Sequence, residues 1–277
     1  MKHILVTGAT SGIGYEIALQ LAKQHHHLIV AARNEKKAEE TAASIRKLSG
    51  NRQVDHCYAD FNSLKDTDQL IKSISTSLSS LDVLINNAGA YYDRFELSKD
   101  GFESTFAVNH LAGFKLTLSL LSLIRRGNDK RIIFTSSDMH FRCSKLYFER
   151  FTQKKKFMGV DAYASSKLCN VLFGYTLAEK LSADNILVHS HHPGVVKTDF
   201  ASKHTSPLIS SGWRMITLFG ISPAKGAATG VYLASSDAVK DKTGLYWDEM
   251  KAKRSSSISY NMQLQEKLWA YSGKAVL

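Results

Sequence analysis

Apolar runs rich in β-branched residues recur along the chain and alternate with amphipathic stretches of helical period. The apolar runs predict strands at Ile4–Val6, Leu28–Ala32, Gln53–Ala59, Val83–Asn86, Arg131–Thr135, Ile186–Ser190 and Gly244–Trp247. Stretches between them predict helices, among them Ile13–Lys23, Lys36–Leu48, Leu64–Leu78 and Ala162–Leu181. Because this alternation implies parallel pairing with right-handed crossovers, we predict an α/β fold, a doubly wound parallel sheet of about seven strands with helices on both faces.

The length of 277 residues fits one domain, since α/β folds often exceed about 200 residues undivided. We therefore predict a single domain over 1–277. Two stretches, about 138–161 and 199–222, are longer than ordinary connections and are candidate substrate loops. The second contains the apolar stretch Pro207–Phe219, which either covers a pocket or packs as a helix.

Composition and charge narrow the class of protein. The formal net charge is +11, but the cations are spread along the chain without a reading helix or an aromatic platform, so nucleic-acid binding is not predicted. No segment has the length and apolar purity of a membrane helix. The first strand begins beside Met1, which leaves no room for a signal peptide or a membrane anchor. We therefore expect a cytoplasmic protein.

Cysteines and histidines give no ligand spacing typical of a metal site. The three cysteines are far apart in the chain, and neither histidine run, 25–27 or 189–192, is accompanied by a carboxylate or thiol at the sequence spacing of a metal site. We predict no metal.

A glycine-rich turn follows the first strand and leads directly into a helix. Its spacing is Gly-x-x-x-Gly-x-Gly, and such a turn lets the backbone approach a pyrophosphate at a helix N-terminus. Glycines alone are weak evidence, because ordinary turns also use them. The candidate cofactor-binding residues here are Gly8, Thr10, Ser11, Gly12, Ile13 and Gly14.

The stretch from Thr7 to Gly14 resembles the cofactor motif of the short-chain dehydrogenase/reductase family, and later motifs match in order along nearly the whole chain. The resemblance implies a Rossmann-type fold and a nicotinamide cofactor. Arg33 and Asn34 follow the second strand, where an acidic residue would bind the ribose diol of NAD. A guanidinium can instead pair with a 2′-phosphate, so we predict NADP (NADPH). The alternative is that Arg33 faces solvent.

Three further segments match cofactor-binding positions of the family. The resemblance places Asp60 and Phe61 near the adenine, and it places Asn87, Ala88 and Gly89 along the adenosine. It also implies that the turn after strand six lines the nicotinamide, with the residues Pro193, Gly194, Val196 and Thr198.

The reacting centre is predicted from a tyrosine and a lysine. Tyr163 and Lys167 are four residues apart, on one face of a helix. A free phenol has a pKa of about 10, and a nearby ammonium would lower it toward that of a useful acid or base. The resemblance adds that both residues contact the cofactor, that Ser137 polarises the carbonyl, and that Asn109 holds a water in the proton path. Ser136 is rejected, because neighbouring side chains at a strand end point oppositely.

These motifs together predict an enzyme that interconverts a small-molecule aldehyde or ketone and an alcohol. The alternative is a protein that binds NADP as a sensor without turnover. Tyr163 follows Ser137 by 26 positions, and this long spacing resembles the retinol dehydrogenase and protochlorophyllide reductase-like branch. An apolar substrate is our hypothesis, and a homo-oligomer is possible.

Overall fold

The computed structural model describes residues 1–197, 204–206, 209–212 and 220–276. One sheet contains the strands β1 His3–Thr7, β2 His27–Ala32, β3 Val54–Tyr58, β4 Val83–Asn86, β5 Arg131–Thr135, β6 Leu187–His192, β7 Leu245–Asp248 and β8 Lys251–Lys253. Their order across the sheet is β3-β2-β1-β4-β5-β6-β7-β8. All neighbours pair in parallel except β7 and β8, which are antiparallel. The predicted doubly wound sheet is confirmed.

Helices cover both faces of this sheet. They are α1 Gly12–Ala22, α2 Glu35–Ser49, α3 Leu64–Ser77, α4 Ser104–Phe106, α5 Ala112–Arg125, α6 Gly159–Lys180, α7 Pro223–Ser235 and α8 Met262–Val276. A π-helical turn, Ala107–Leu111, joins α4 to α5. Local capping explains several helix starts: Asn34 and Ser63 accept hydrogen bonds from the backbone of the first turns of α2 and α3.

Alternating side chains of the central strands form two cores. On β1, Ile4 and Val6 pack on one face with helices α1, α2 and α7, while Leu5 packs on the other with α3, α5 and α6. On β5, Ile133 packs in the same core as Ile4 and Val6, and Ile132 packs in the same core as Leu5. Because both faces are buried, these strands are apolar throughout, as is typical of a parallel sheet.

The eighth strand corrects the expected number of about seven. β8 has the sequence Lys-Ala-Lys, and all three residues are exposed. It lies at the edge of the sheet and, among the described residues, pairs only with β7, so it needs no apolar pattern. Lysines on an edge strand also discourage pairing with another sheet.

The two predicted substrate loops differ in what the structure describes. Residues 138–158 contain two short 3-10 helices, Asp138–Arg142 and Phe148–Phe151, and α6 begins at Gly159. Phe151 stacks on Phe106 with ring centroids 3.7 Å apart, within a third apolar cluster that also includes residues of α6 and α8. Most of 199–222 lies outside the described residues.

One helix corrects the prediction that no segment resembles a membrane span. Within the described residues, the helical segment Ser104–Arg125 is long and apolar enough to cross a membrane, with a mean hydropathy of 1.4. However, 61% of the most apolar 18-residue part of this segment is buried in the fold, and residues such as Phe114 and Leu120 belong to the core. Packing inside the protein therefore accounts for its apolar character.

Candidate active site

The carboxyl ends of the parallel strands meet at one edge of the sheet, and the predicted site residues follow those ends. Gly8 comes after β1, Arg33 after β2, Asn87 after β4, Ser137 after β5 and Pro193 after β6. Ligands of doubly wound sheets bind at this edge, near the switch in strand order. Here the order reverses between β1 and β4.

The turn after β1 has a conformation that requires glycine. Gly8 and Gly12 have φ angles of +66° and +57°, in the left-handed region that glycine adopts without strain. A Cβ on Gly14 would collide with the Gly8 carbonyl oxygen and with Asn87 Nδ2. Ser11 is the N-cap of α1, and its side chain makes no capping hydrogen bond. These features fit a pyrophosphate held at the start of α1.

The other predicted residues of this turn, Thr10 and Ile13, are half-buried beside it. The segment Asn87–Gly89 closes over the turn through Thr7, whose Oγ1 accepts hydrogen bonds from the Asn87 and Ala88 amides, both at 2.9 Å. Asn87 Nδ2 donates to the Thr7 carbonyl at 3.0 Å. Sequence reasoning did not single out Thr7 for this bridge, although its position directly before Gly8 was a usable signal.

The structure brings Ser137, Tyr163 and Lys167 together. Tyr163 is hydrogen-bonded to the side chain of Ser137. Lys167 lies one helical turn further along α6, with its Nζ 5.5 Å from the centre of the Tyr163 ring. That Nζ donates to the Thr135 carbonyl at 2.9 Å. An acid/base phenol, a hydroxyl donor and a buried cation thus converge at the edge where the glycine turn lies.

The electrostatics of this group differ from the sequence-based expectation that Lys167 lowers the pKa of Tyr163. Burial raises the pKa of the Tyr163 phenol above its ordinary value, and the hydrogen bond with Ser137 only partly offsets that rise. Burial also lowers the pKa of Lys167 from 10.5 to about 8. The expectation is wrong because desolvation disfavours the charged form of both groups. Lys167 still keeps most of its charge at pH 7.

The choice of Ser137 over Ser136 agrees with the geometry. Ser136 is buried and its Oγ donates to the Lys167 carbonyl at 2.8 Å, so it points into α6. Ser137 points toward Tyr163 and also accepts a hydrogen bond from the Met139 amide at 3.2 Å. The two neighbours therefore face opposite ways at the end of β5.

Asn109 lies in the π-helical turn, and its side chain forms hydrogen bonds with other residues of the protein. Its Oδ1 accepts from the Ala90 amide at 2.7 Å, and its Nδ2 donates to the Ala90 carbonyl at 3.0 Å and to Ser166 Oγ at 2.9 Å. Asn109 thus joins the segment after β4 to α6. Its predicted role with a water stays a prediction.

Arg33 is exposed beyond the end of β2 and faces a small aromatic group. Its Nη1 lies 3.0 Å from His204 Nε2, and His204 stacks on Tyr92 with ring centroids 4.3 Å apart. Neither aromatic residue was predicted from the sequence. Asn34 uses its Oδ1 to accept from the Lys37 amide at 2.9 Å, so its side chain caps α2 and its cofactor contact stays a prediction.

Asp60 and Phe61 follow β3 and have different surroundings. Asp60 Oδ1 accepts from the Asn62 amide at 3.1 Å, and the side chain of Phe61 is buried in the core beneath α3. Their predicted adenine contacts stay predictions.

The turn after β6 is tightly built. Gly194 has a φ of +85°, and a Cβ there would lie 2.8 Å from Ile221 Cδ1. Val196 forms an isolated bridge with Ile221. Pro193 and Val196 therefore belong to a defined turn at the same edge of the sheet as Tyr163. Thr198 lies outside the described residues.

Tyr91 is a neighbour of the reacting centre that sequence reasoning missed. Its ring meets that of Tyr163 edge to face, with centroids 5.9 Å apart, and it is buried. It comes two residues after Gly89, so its place in the chain was a signal that it would lie near this centre.

Comparisons with known proteins agree with this geometry. Residues 2–208 match the family model described as short chain dehydrogenase. The chain is 34% identical to human retinol dehydrogenase 13 over 281 residues, covering 99% of this chain and 84% of the relative.

Solved structures resemble the chain as well. A structure of an uncharacterised protein from Mycobacterium paratuberculosis has a TM-score of 0.78 at 26% identity, covering 100% of this chain and 93% of its own. A short chain dehydrogenase from Escherichia coli CFT073, complexed with NADPH, has a TM-score of 0.71 at 26% identity, covering 90% and 97%. The chain belongs to the short-chain dehydrogenase/reductase family of oxidoreductases, in its retinol dehydrogenase-like branch.

Proposed function

We propose that this protein is an NADP-dependent oxidoreductase that interconverts an aldehyde or ketone and an alcohol, with Tyr163 as the general acid and base. The observation that carries this proposal is the group formed by Ser137, Tyr163 and Lys167 beside the glycine turn. A sensor that only binds the cofactor would not need a phenol, a hydroxyl and an ammonium in contact.

Each of these residues has a distinct task in the proposed reaction. Bound nicotinamide would supply or accept the hydride. Tyr163 gives a proton to the substrate oxygen during reduction and takes it back during oxidation. Its raised pKa keeps the phenol protonated near neutral pH, which suits the reduction. Ser137 donates a hydrogen bond to the same oxygen as negative charge develops there, and Lys167 would bind the nicotinamide ribose.

The preference for NADP rests on Arg33. The two residues that directly follow β2 are Arg33 and Asn34, so neither places a carboxylate where it would repel a 2′-phosphate, and the exposed guanidinium of Arg33 can pair with that phosphate. The similarity to a short chain dehydrogenase complexed with NADPH supports this preference.

An apolar substrate is supported by three observations. Tyr91 places an aromatic ring against Tyr163, and the stretch 207–219, most of which lies outside the described residues, is rich in apolar residues. Several similar proteins are named retinol dehydrogenases. A cytoplasmic location, a single domain over 1–277 and a possible homo-oligomer remain predictions.

The test is the absorbance of reduced nicotinamide, followed with NADPH and with NADH against retinal, a medium-chain aldehyde and a small polar ketone. We expect turnover of the apolar carbonyls with NADPH in preference to NADH. Exclusive use of the polar ketone would refute the apolar substrate, and a preference for NADH would refute the role of Arg33. Binding of NADPH with no turnover of any carbonyl would favour the sensor.

A further inference from the structure

Two histidines hold the peptide group that follows the predicted carbonyl-polarising serine. The carbonyl of Ser137 lies 2.7 Å from His140 Nδ1. The amide of that same peptide group, the N–H of Asp138, donates to His192 Nδ1 at 3.3 Å. The group is thus bonded at its oxygen and at its nitrogen by two different imidazoles, one from the 3-10 helix after β5 and one from the end of β6.

The partners of each ring determine which nitrogen carries its proton. A carbonyl oxygen only accepts, so His140 Nδ1 carries a proton, and His140 Nε2 accepts from the Ser256 amide at 3.1 Å. His192 Nδ1 accepts from the Asp138 amide, so the proton of His192 is on Nε2, which lies 3.4 Å from Asp138 Oδ2. The two rings are therefore neutral and in opposite tautomers.

The Asp138 carboxylate supports the tautomer of His192. Its Oδ1 accepts a hydrogen bond from the Tyr246 hydroxyl at 2.8 Å, so the carboxylate is anchored to β7 while its other oxygen faces His192 Nε2. His140 packs on the same tyrosine, with ring centroids 4.8 Å apart. The rings and the carboxylate therefore constrain one another.

We propose that His140 and His192 are positioning residues that fix the Ser137–Asp138 peptide plane, so that the Ser137 hydroxyl stays directed at Tyr163. The orientation of that plane sets the direction of the Ser137 side chain, and errors of about 1 Å in such a site can cost roughly 100-fold in rate. This inference rests on the proposed function, in which Ser137 contacts the reacting oxygen.

The surroundings of both histidines favour the neutral form that their hydrogen-bond partners require. Burial lowers the pKa of both His140 and His192 below the ordinary histidine value. Around His192, the carboxylates Asp138 and Asp248 raise its pKa and Lys253 lowers it. Around His140, the Ser137 carbonyl and Asp138 raise its pKa and His192 lowers it.

The kinetic test compares His192→Ala with His192→Asn in the full chain, using whichever carbonyl the wild type reduces. The alanine variant loses the acceptor for the Asp138 amide, so we expect kcat to fall about tenfold or more while the KM for NADPH changes little. Asparagine Oδ1 can accept from the same amide, so His192→Asn should restore kcat to within about threefold of wild type.

The matched control is His189→Ala, which removes another buried histidine from β6. His189 accepts from Trp247 Nε1 rather than from the Ser137–Asp138 peptide, so its loss should affect stability but leave kcat within about twofold. Wild-type kcat in His192→Ala, or a loss in His192→Asn equal to that in His192→Ala, would overturn the inference.

A second measurement does not depend on turnover and separates this inference from the proposed function. The ¹⁵N chemical shifts of the imidazole nitrogens should show His140 protonated at Nδ1 and His192 protonated at Nε2 at neutral pH. The reverse tautomer in either ring would overturn the inference even in an active enzyme. The predicted tautomers in a protein that reduces no carbonyl would contradict the proposed function alone.

Discussion

Lys167→Met should stabilise the cofactor-free protein at neutral pH. Lys167 is buried, donates to the Thr135 carbonyl and has no carboxylate partner among the residues that the structure describes. Burial lowers its pKa from 10.5 to about 8, and each unit corresponds to about 1.4 kcal/mol, so the buried charge costs about 3 kcal/mol at pH 7. Removing the cost of the buried charge is offset by about 1 kcal/mol, because the hydrogen bond to the Thr135 carbonyl is also lost. We therefore expect the free energy of unfolding to rise by about 2 kcal/mol.

The gain in stability from Lys167→Met should depend on pH, because it comes from the lowered pKa of Lys167. The unfolded chain binds the Lys167 proton more tightly than the folded protein does, so the cost is fully present below pH 8 and disappears as the pH rises toward 10.5. Urea unfolding at pH 7 and at pH 10 should therefore show a gain of about 2 kcal/mol that falls to near zero.

The matched control is Lys180→Met on the same helix. Lys180 forms a partly exposed ion pair with Glu266, so its loss should change the free energy of unfolding by less than about 1 kcal/mol at either pH. The reasoning is refuted if Lys167→Met is less stable than wild type at pH 7, or if its gain is the same at both pH values.

Three other substitutions test separate parts of the structure. Arg33→Ala should raise the KM for NADPH by about 10- to 100-fold and leave that for NADH unchanged, and equal effects on both would contradict a 2′-phosphate contact. Gly14→Ala should abolish cofactor binding, measured by NADPH fluorescence, because its Cβ collides with Asn87. Asp129→Asn should lower the free energy of unfolding by about 3 kcal/mol, since the buried Arg131 loses its anionic partner; a loss below about 1 kcal/mol would contradict this.

The sequence predicted the parts of the fold that depend on local pattern. The central strands were recognisable because both of their faces are buried, and the glycine turn was recognisable because Gly8 and Gly12 adopt left-handed φ angles. Strand β8 was not, because an exposed Lys-Ala-Lys edge strand carries no apolar signal.

The sequence was less informative about contacts between distant segments. The effect of Lys167 on Tyr163 was predicted from their spacing, but the outcome depends on burial, which spacing does not reveal. The contact of Arg33 with His204 joins residues far apart in the chain. The hydrogen bonds of Asn109 to Ala90 and Ser166 likewise depend on the packing of α6 against the segment after β4.

The most direct test of the central claim compares NADPH binding and carbonyl reduction in wild type and Tyr163→Phe. The variant keeps the ring that packs against Tyr91 and loses only the hydroxyl that is bonded to Ser137. We predict that the Kd for NADPH stays within about threefold, because the chemistry and not the fold is altered, while kcat falls by about 100- to 10,000-fold. A Tyr163→Phe variant that reduces the carbonyl at a rate near that of wild type would contradict the assignment of Tyr163 as the proton donor.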